Sequence, residues 1–156
     1  MPLWPRCTTR CKRLGGNGLM GSPAISQTVF RLGGEIDLPA MVGGMRRVLQ
    51  QAGCSDAESM RMVTVASELS NNIIRYAGNG RLTVVVTQLE RRVLIEITAE
   101  DRGPGIPNLD AALTERFSTG GGLGLGLPAV RRMVDDFQID SAPGRGTKVK
   151  VRRWMA

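Results

Sequence analysis

Hydrophobic residues repeat at helical spacing in the first half of the chain. One helix is predicted from an N-cap at Asp37 to about Ala52, with Gly53 ending it. A second helix is predicted to begin at Ser55, because Glu58 follows in the spacing of a capping box and can reach back to the N-cap. One apolar face of this second helix is formed by Met62, Val65, Ala66, Leu69, Ile73 and Tyr76. We expect these side chains to be buried.

Runs of β-branched and apolar residues predict the strands. A weakly alternating run over residues 27–32 is typical of an edge strand. Runs over residues 82–88 and 93–99 flank a short charged connection, which predicts an antiparallel hairpin. Residues 137–142 and 147–154 predict a second hairpin across a Pro-Gly turn.

Two further helices are predicted between the two hairpins, over residues 109–115 and 127–137, and a Gly-rich loop separates them. The order is therefore strand, two helices, hairpin, loop region, helix and hairpin. This order predicts an α+β fold, a two-layer α/β sandwich whose mostly antiparallel mixed sheet carries helices on one face.

Composition limits the class of protein. A chain of 156 residues that is 42% hydrophobic fits one globular domain with a single core. With three cysteines and no histidine, a Cys/His zinc site is excluded. No apolar run approaches the roughly 20 residues of a membrane span, and the N-terminus lacks the apolar stretch of a signal peptide. We expect a cytoplasmic protein that does not contact a membrane.

The net charge of +7 is concentrated at the N-terminus. Residues 1–27 contain four of the 21 basic residues and no acid, and they lack hydrophobic periodicity, so they predict a basic, disordered tail before a domain over 28–156. The rest of the chain carries 17 bases against 14 acids. With aromatic residues at 4% and no recognised nucleic-acid motif, the sequence argues against nucleic-acid binding.

Five glycines lie within the seven residues from Gly120 to Gly126, directly before a predicted helix. Their unobstructed backbone N–H groups and the positive end of the helix suit a phosphate, although a flexible linker has a similar composition. Regular alternation with Leu123, Leu125 and Leu127 favours the phosphate site. No Gly-Lys-Ser/Thr follows and no strand leads straight into the loop, so neither a P-loop nor a dinucleotide-binding fingerprint is present.

Two other motifs carry side chains suited to chemistry. Glu68 and Asn72 lie four residues apart on the second helix, so both emerge on one face and could hold Mg²⁺ or orient a nucleophile. A merely solvated helix face is the alternative. Asp101 follows a buried strand and precedes Gly103 and Gly105, where it could accept a hydrogen bond from an exocyclic amine or belong to an ordinary turn.

In this order the three motifs resemble the N, G1 and G2 boxes of the GHKL ATPase superfamily, which has the Bergerat fold. Within it the chain is similar to the RsbT-type serine kinases, relatives of the anti-sigma kinases RsbW and SpoIIAB. The resemblance covers residues 28–154 and is densest over residues 68–73, 99–107 and 117–137.

The resemblance implies ATP and Mg²⁺ as cofactors. Asn72 would hold Mg²⁺, Glu68 would be the catalytic base, and Asp101 would recognise the adenine amine. Gly103 and Gly105 would let the base approach, the Gly-rich loop would enclose the phosphates, and Thr147 would support the adenine pocket. The nucleotide-binding residues implied in this way are Asn72, Asp101, Gly103, Gly105, Ile106, Ser118, Thr119, Gly120, Gly121, Gly122, Leu123, Gly124, Leu125, Gly126 and Thr147.

The resemblance also implies a function. Kinases of this type phosphorylate a serine on a STAS-domain antagonist and, when released, bind and activate a PP2C-type phosphatase, so the chain is expected to be a partner-switching regulator of bacterial stress signalling. Two alternatives remain open, a noncatalytic module that binds nucleotide and an anti-sigma factor that binds a sigma factor. The presence of Glu68 favours catalysis, because a pure binder needs no base.

Overall fold

The predicted order of elements is confirmed in the computed structural model, which describes residues 10–12, 24–114 and 126–155. Its strands are β1 (Arg10–Lys12), β2 (Ala24–Leu32), β3 (Gly80–Gln88), β4 (Val93–Asp101), β5 (Asp136–Ser141) and β6 (Thr147–Met155). They form one sheet in the order β1-β2-β3-β4-β6-β5. Every pairing among these strands is antiparallel, which confirms the predicted antiparallel character of the sheet, whereas the prediction that the sheet is mixed was wrong for the described strands.

The helices of the described residues cover one face of this sheet. They are a short 3-10 helix (Glu35–Asp37), α1 (Leu38–Gln51), α2 (Asp56–Ala77), α3 (Leu109–Ala112) and α4 (Gly126–Met133). Helix α1 packs on α2 and β2, whereas α2 packs on β3, β4 and α4. Strands β3 and β4 bury every second residue against the helices, as a sheet with one covered face requires. None of the described helices has the length and apolar character needed to cross a membrane.

The opposite, open face of the sheet carries ion pairs between neighbouring strands. The carboxylate of Glu96 accepts from Lys150 Nζ at 3.1 Å and Arg152 Nε at 2.8 Å, and Arg152 also reaches Asp136 at 3.2 Å. Burial alone would raise the pKa of Glu96, but the hydrogen bonds from Arg152 and Lys150 outweigh it and lower that pKa. The open face is therefore polar along its centre.

Only half of the predicted capping box forms at the start of α2. Ser55 Oγ accepts from the backbone N–H of Glu58 at 3.3 Å, but the Glu58 carboxylate does not return to Ser55. It accepts instead from Arg153 Nη2 at 3.0 Å and Nε at 3.3 Å. A guanidinium on β6 offers two charge-assisted hydrogen bonds, which are stronger than one bond from a backbone N–H. The prediction that Glu58 reaches back to the N-cap was wrong.

The buried face of α2 matches the predicted one except at its C-terminal end. Tyr76 was predicted to be buried, but it is 58% exposed, because the last turn of α2 lies where β3 begins at Gly80 and the sheet offers no further surface. Ser70 is buried instead, and its hydroxyl has no hydrogen-bond partner among the described residues. Helical periodicity gives the direction of a side chain but not the extent of the surface beneath it.

Several element boundaries also differ from the predicted ones. Strand β2 begins three residues before residue 27, and β1 pairs with it on the side predicted to be an edge. Strand β4 continues through Asp101, beyond the predicted end at residue 99. Helix α4 ends at Met133, because Phe137 already pairs with Val151 in the hairpin of β5 and β6.

Candidate functional site

The ends of three strands meet beside the last turns of α2. Asp101 ends β4 and lies opposite Gly80, which begins β3, while Thr147 begins β6. A Cβ placed on Gly80 would lie 2.6 Å from Ile73 Cγ2 and 3.3 Å from Asp101 Cβ. The stretch of α2 that includes Asn72 is therefore held close to the end of β4, as the order of the sequence motifs leads us to expect.

The two oxygens of the Asp101 carboxylate have different surroundings. Oδ1 accepts from the backbone N–H of Gly103 at 2.8 Å and from that of Thr147 at 3.2 Å. Oδ2 has no hydrogen bond within the described residues. The backbone thus fixes the carboxylate in place and leaves one anionic oxygen available to a donor group, such as the exocyclic amine of a nucleobase.

The loop that follows β4 packs tightly against protein. A Cβ on Gly103 would lie 2.6 Å from Ala77 Cβ, at the end of α2. Gly105 has φ +75°, and a Cβ there would overlap the carbonyl oxygen of Ala142. Both glycines are thus required by the contacts of the loop with α2 and with the second hairpin. Their predicted role in admitting a nucleobase remains a prediction.

Ser141, a residue that the sequence analysis did not select, connects this loop to the second hairpin. Its Oγ accepts from the backbone N–H of Ile106 at 2.8 Å, lies 3.0 Å from the carbonyl oxygen of Gly146, and lies 2.9 Å from Thr147 Oγ1. The predicted second hairpin could have pointed to Ser141, because Ser141 pairs with Thr147 across it. The contact with Ile106, 35 residues earlier, depends on the tertiary fold.

A cavity of about 290 Å³ opens at these strand ends. Glu100 and Lys148 line the cavity from the open face of the sheet. Asp101 and Ser141 line it from the opposite face, which the helices cover. Glu100 accepts from Arg81 at 2.7 Å and from Lys148 at 3.2 Å. The hydrogen bond from Arg81 is the main cause of the lowered pKa of Glu100. The negative charge of the Glu100 carboxylate is therefore balanced by the positive charges of Arg81 and Lys148.

Glu68 and Asn72 are both half-buried on α2, one helical turn apart. In the part of the chain that the structure describes, neither side chain makes a hydrogen bond or an ion pair. Neither side chain has a buried polar atom without a partner, so the polar atoms of both are open to water or to a ligand. The pair is suited to bind a cation or a reacting hydroxyl.

Of the predicted Gly-rich loop, Gly126 lies within the described residues. Gly126 begins α4 with φ +65°, and Leu127 directly after it is buried in the core. The prediction that the loop leads straight into a helix is confirmed. The other predicted loop residues lie outside the described ranges: Ser118, Thr119, Gly120, Gly121, Gly122, Leu123, Gly124 and Leu125.

Comparison with known proteins agrees with this arrangement. Residues 57–155 match the family of histidine kinase-, DNA gyrase B-, and HSP90-like ATPases. The serine/threonine-protein kinase RsbT of Bacillus subtilis is 36% identical over 129 residues, which make up 83% of this chain and 97% of that protein. An anti-sigma F factor of Bacillus licheniformis is 31% identical over 104 residues, 64% of this chain and 71% of that protein.

Among solved structures, a mycobacterial sensor histidine kinase, MprB, aligns with 76% of this chain and 96% of its own, at 21% identity and a TM-score of 0.47. The segment matched by the family model includes α2, the loop after β4 and the second hairpin, which together form the candidate site. The chain therefore belongs to the histidine kinase-, DNA gyrase B- and HSP90-like ATPase family, in its RsbT-type serine/threonine-protein kinase group.

Proposed function

We propose that this protein is an ATP-dependent protein serine kinase that phosphorylates a STAS-domain antagonist and so acts as a partner switch in bacterial stress signalling. The observation that carries this proposal is the pair Glu68 and Asn72, which are half-buried, one turn apart and without partners among the described residues. A carboxylate that no cation of the described residues pairs with is available to act as a general base.

The arrangement supports a division of roles. Asp101 Oδ2 would accept from the adenine amine, while Oδ1 keeps its two backbone donors. Asn72 would provide an amide oxygen to Mg²⁺, an ion that favours oxygen ligands and neutralises phosphate charge when bound. Glu68 would take the proton from the serine hydroxyl of the partner as that oxygen attacks the terminal phosphorus and ADP leaves. The loop ending at Gly126 would enclose the phosphates.

Relatives support the nature of the partner. RsbT, at 36% identity, is a serine/threonine-protein kinase, and we infer a protein serine as the acceptor for this chain. A STAS-domain antagonist as substrate and a PP2C-type phosphatase as a second partner belong to the proposal. The anti-sigma F factor at 31% identity favours a second candidate, in which the same domain binds a sigma factor.

Phosphate transfer tests the proposal directly. The protein is incubated with Mg-ATP and a STAS-domain protein from the same organism, and phosphoserine on that partner is measured by mass spectrometry. We expect transfer by the wild type, and loss of transfer with retained ATP binding for Glu68→Ala. Glu90→Ala, on the exposed turn between β3 and β4, is the matched control and should behave as wild type.

Phosphate transfer and co-purification together separate the alternatives. ATP binding without phosphoserine on the partner would favour a noncatalytic binding module. Co-purification with a sigma factor in place of a STAS-domain protein would favour the anti-sigma role. Transfer by Glu68→Ala at the wild-type rate would show that the base has been assigned to the wrong residue.

A further inference from the structure

The hydroxyl of Ser141 makes three contacts with only one proton. The backbone N–H of Ile106 can only donate, so at 2.8 Å it uses one lone pair of Ser141 Oγ. The carbonyl oxygen of Gly146 can only accept, so at 3.0 Å it takes the single Ser141 proton. The third contact, to Thr147 Oγ1 at 2.9 Å, must then be donated by Thr147. These directions are the one assignment in which all three hydrogen bonds form.

The assignment determines what Thr147 can offer to a ligand. Its hydroxyl proton is used by Ser141, so only its lone pairs remain. Its backbone N–H is used as well, because it donates to Asp101 Oδ1 at 3.2 Å. Asp101 Oδ2, the remaining oxygen beside it, is also an acceptor. Thr147 and Asp101 Oδ2 therefore offer acceptors only, beside the cationic side chains of Arg145 and Lys148, which line the same cavity.

We infer that Ser141 is a specificity-determining residue of the nucleotide site: by holding the proton of Thr147, it leaves Thr147 and Asp101 Oδ2 as acceptors that select a purine with an amino group at position 6 over one with an oxo group there. The inference rests on the proposed ATP site. The amino group at position 6 of adenine can donate to these oxygens, whereas the oxo group at the same position of hypoxanthine can only accept, and hypoxanthine has only its neighbouring N1–H to donate.

Ser141 acts through Thr147 and need not touch the nucleotide. In Ser141→Ala the Thr147 hydroxyl loses its fixed partner, so it can rotate and donate to an oxo group. The Asp101 carboxylate would still oppose that group, so discrimination should decrease without disappearing. A purely structural role for Ser141 would weaken ATP and ITP binding in proportion and leave their ratio unchanged.

The test is the ratio of ITP to ATP dissociation constants, measured by titration calorimetry on the full chain. We expect Ser141→Ala to lower this ratio by about tenfold, the effect of one mismatched hydrogen bond. Ser141→Thr, which keeps the hydroxyl, should retain the wild-type ratio. Ser59→Ala, at a half-buried serine in the first turn of α2, is the matched control.

A second pair of variants tests whether the effect passes through Thr147. Thr147→Val removes the hydroxyl and should itself lower the ratio, and adding Ser141→Ala to it should change the ratio no further. If Ser141→Ala does not fold, an unchanged ratio in Thr147→Val overturns the inference. An unchanged ratio in folded Ser141→Ala overturns it as well and leaves the proposed kinase intact. A wild type that binds neither nucleotide overturns the proposed function and the inference with it.

Discussion

Replacing Asp101 by asparagine separates the two roles of its carboxylate. Oδ1 accepts from Gly103 N at 2.8 Å and from Thr147 N at 3.2 Å, and the amide oxygen of asparagine can accept both bonds in the same position. Oδ2, which has no hydrogen bond among the described residues, becomes an NH₂ group that only donates. An adenine amine at that point would meet a second donor.

The structure gives a magnitude for each role. The two backbone bonds change from charge-assisted to neutral, which costs about 1 kcal/mol each, so the free energy of unfolding should fall by about 2 kcal/mol. For the ligand, one bond to an anionic oxygen is lost and two donors face each other, at a cost of about 3 kcal/mol, or about a hundredfold in ATP affinity. Asp101→Ala should lose more stability, because both N–H groups lose their acceptor.

Urea denaturation without nucleotide and calorimetric titration with ATP measure the two effects separately. Glu90→Gln, on the exposed turn between β3 and β4, controls for the loss of one negative charge. Wild-type ATP affinity in Asp101→Asn would refute amine recognition by Oδ2. A loss of stability in Asp101→Asn as large as in Asp101→Ala would refute the account of Oδ1.

Three further predictions concern the same domain. Asn72→Ala should abolish Mg-dependent ATP binding in calorimetry without lowering thermal stability, since the side chain has no partner among the described residues. Gly44→Ala should destabilise by about 1 to 3 kcal/mol in urea, because its Cβ would overlap an aromatic ring on β2, whereas Gly43→Ala has free space and should gain up to about 1 kcal/mol. The hydrogen bond from Arg153 lowers the pKa of Glu58. The stabilisation from this ion pair is therefore present above the unfolded pKa of about 4.3 and is lost as the pH falls through the lower folded pKa. Glu58→Gln should lower the free energy of unfolding by about 1 kcal/mol at pH 7, and a loss of the same size in acid would contradict this account.

The sequence alone determined the order of the elements, through hydrophobic periodicity, and the positions of the candidate site residues, through the motifs. The buried face of α2 and the two hairpins follow from the local spacing of apolar residues, because a residue's direction on a helix or strand depends only on its place in that element. The positions of Glu68, Asn72 and Asp101 followed in the same way, since the motifs that contain them are local.

Only the tertiary structure decided which distant groups meet. Glu58 binds Arg153 rather than its own N-cap, because β6 brings a guanidinium to the start of α2. The two oxygens of the Asp101 carboxylate differ in their hydrogen bonds, because backbone N–H groups from two separate segments both donate to Oδ1. Ser141 contacts both Ile106 and Thr147, which lie far apart from one another in the sequence. Hydrogen-bond direction depends on which donors and acceptors lie within about 3 Å, and strand pairing, rather than local pattern, brings them there.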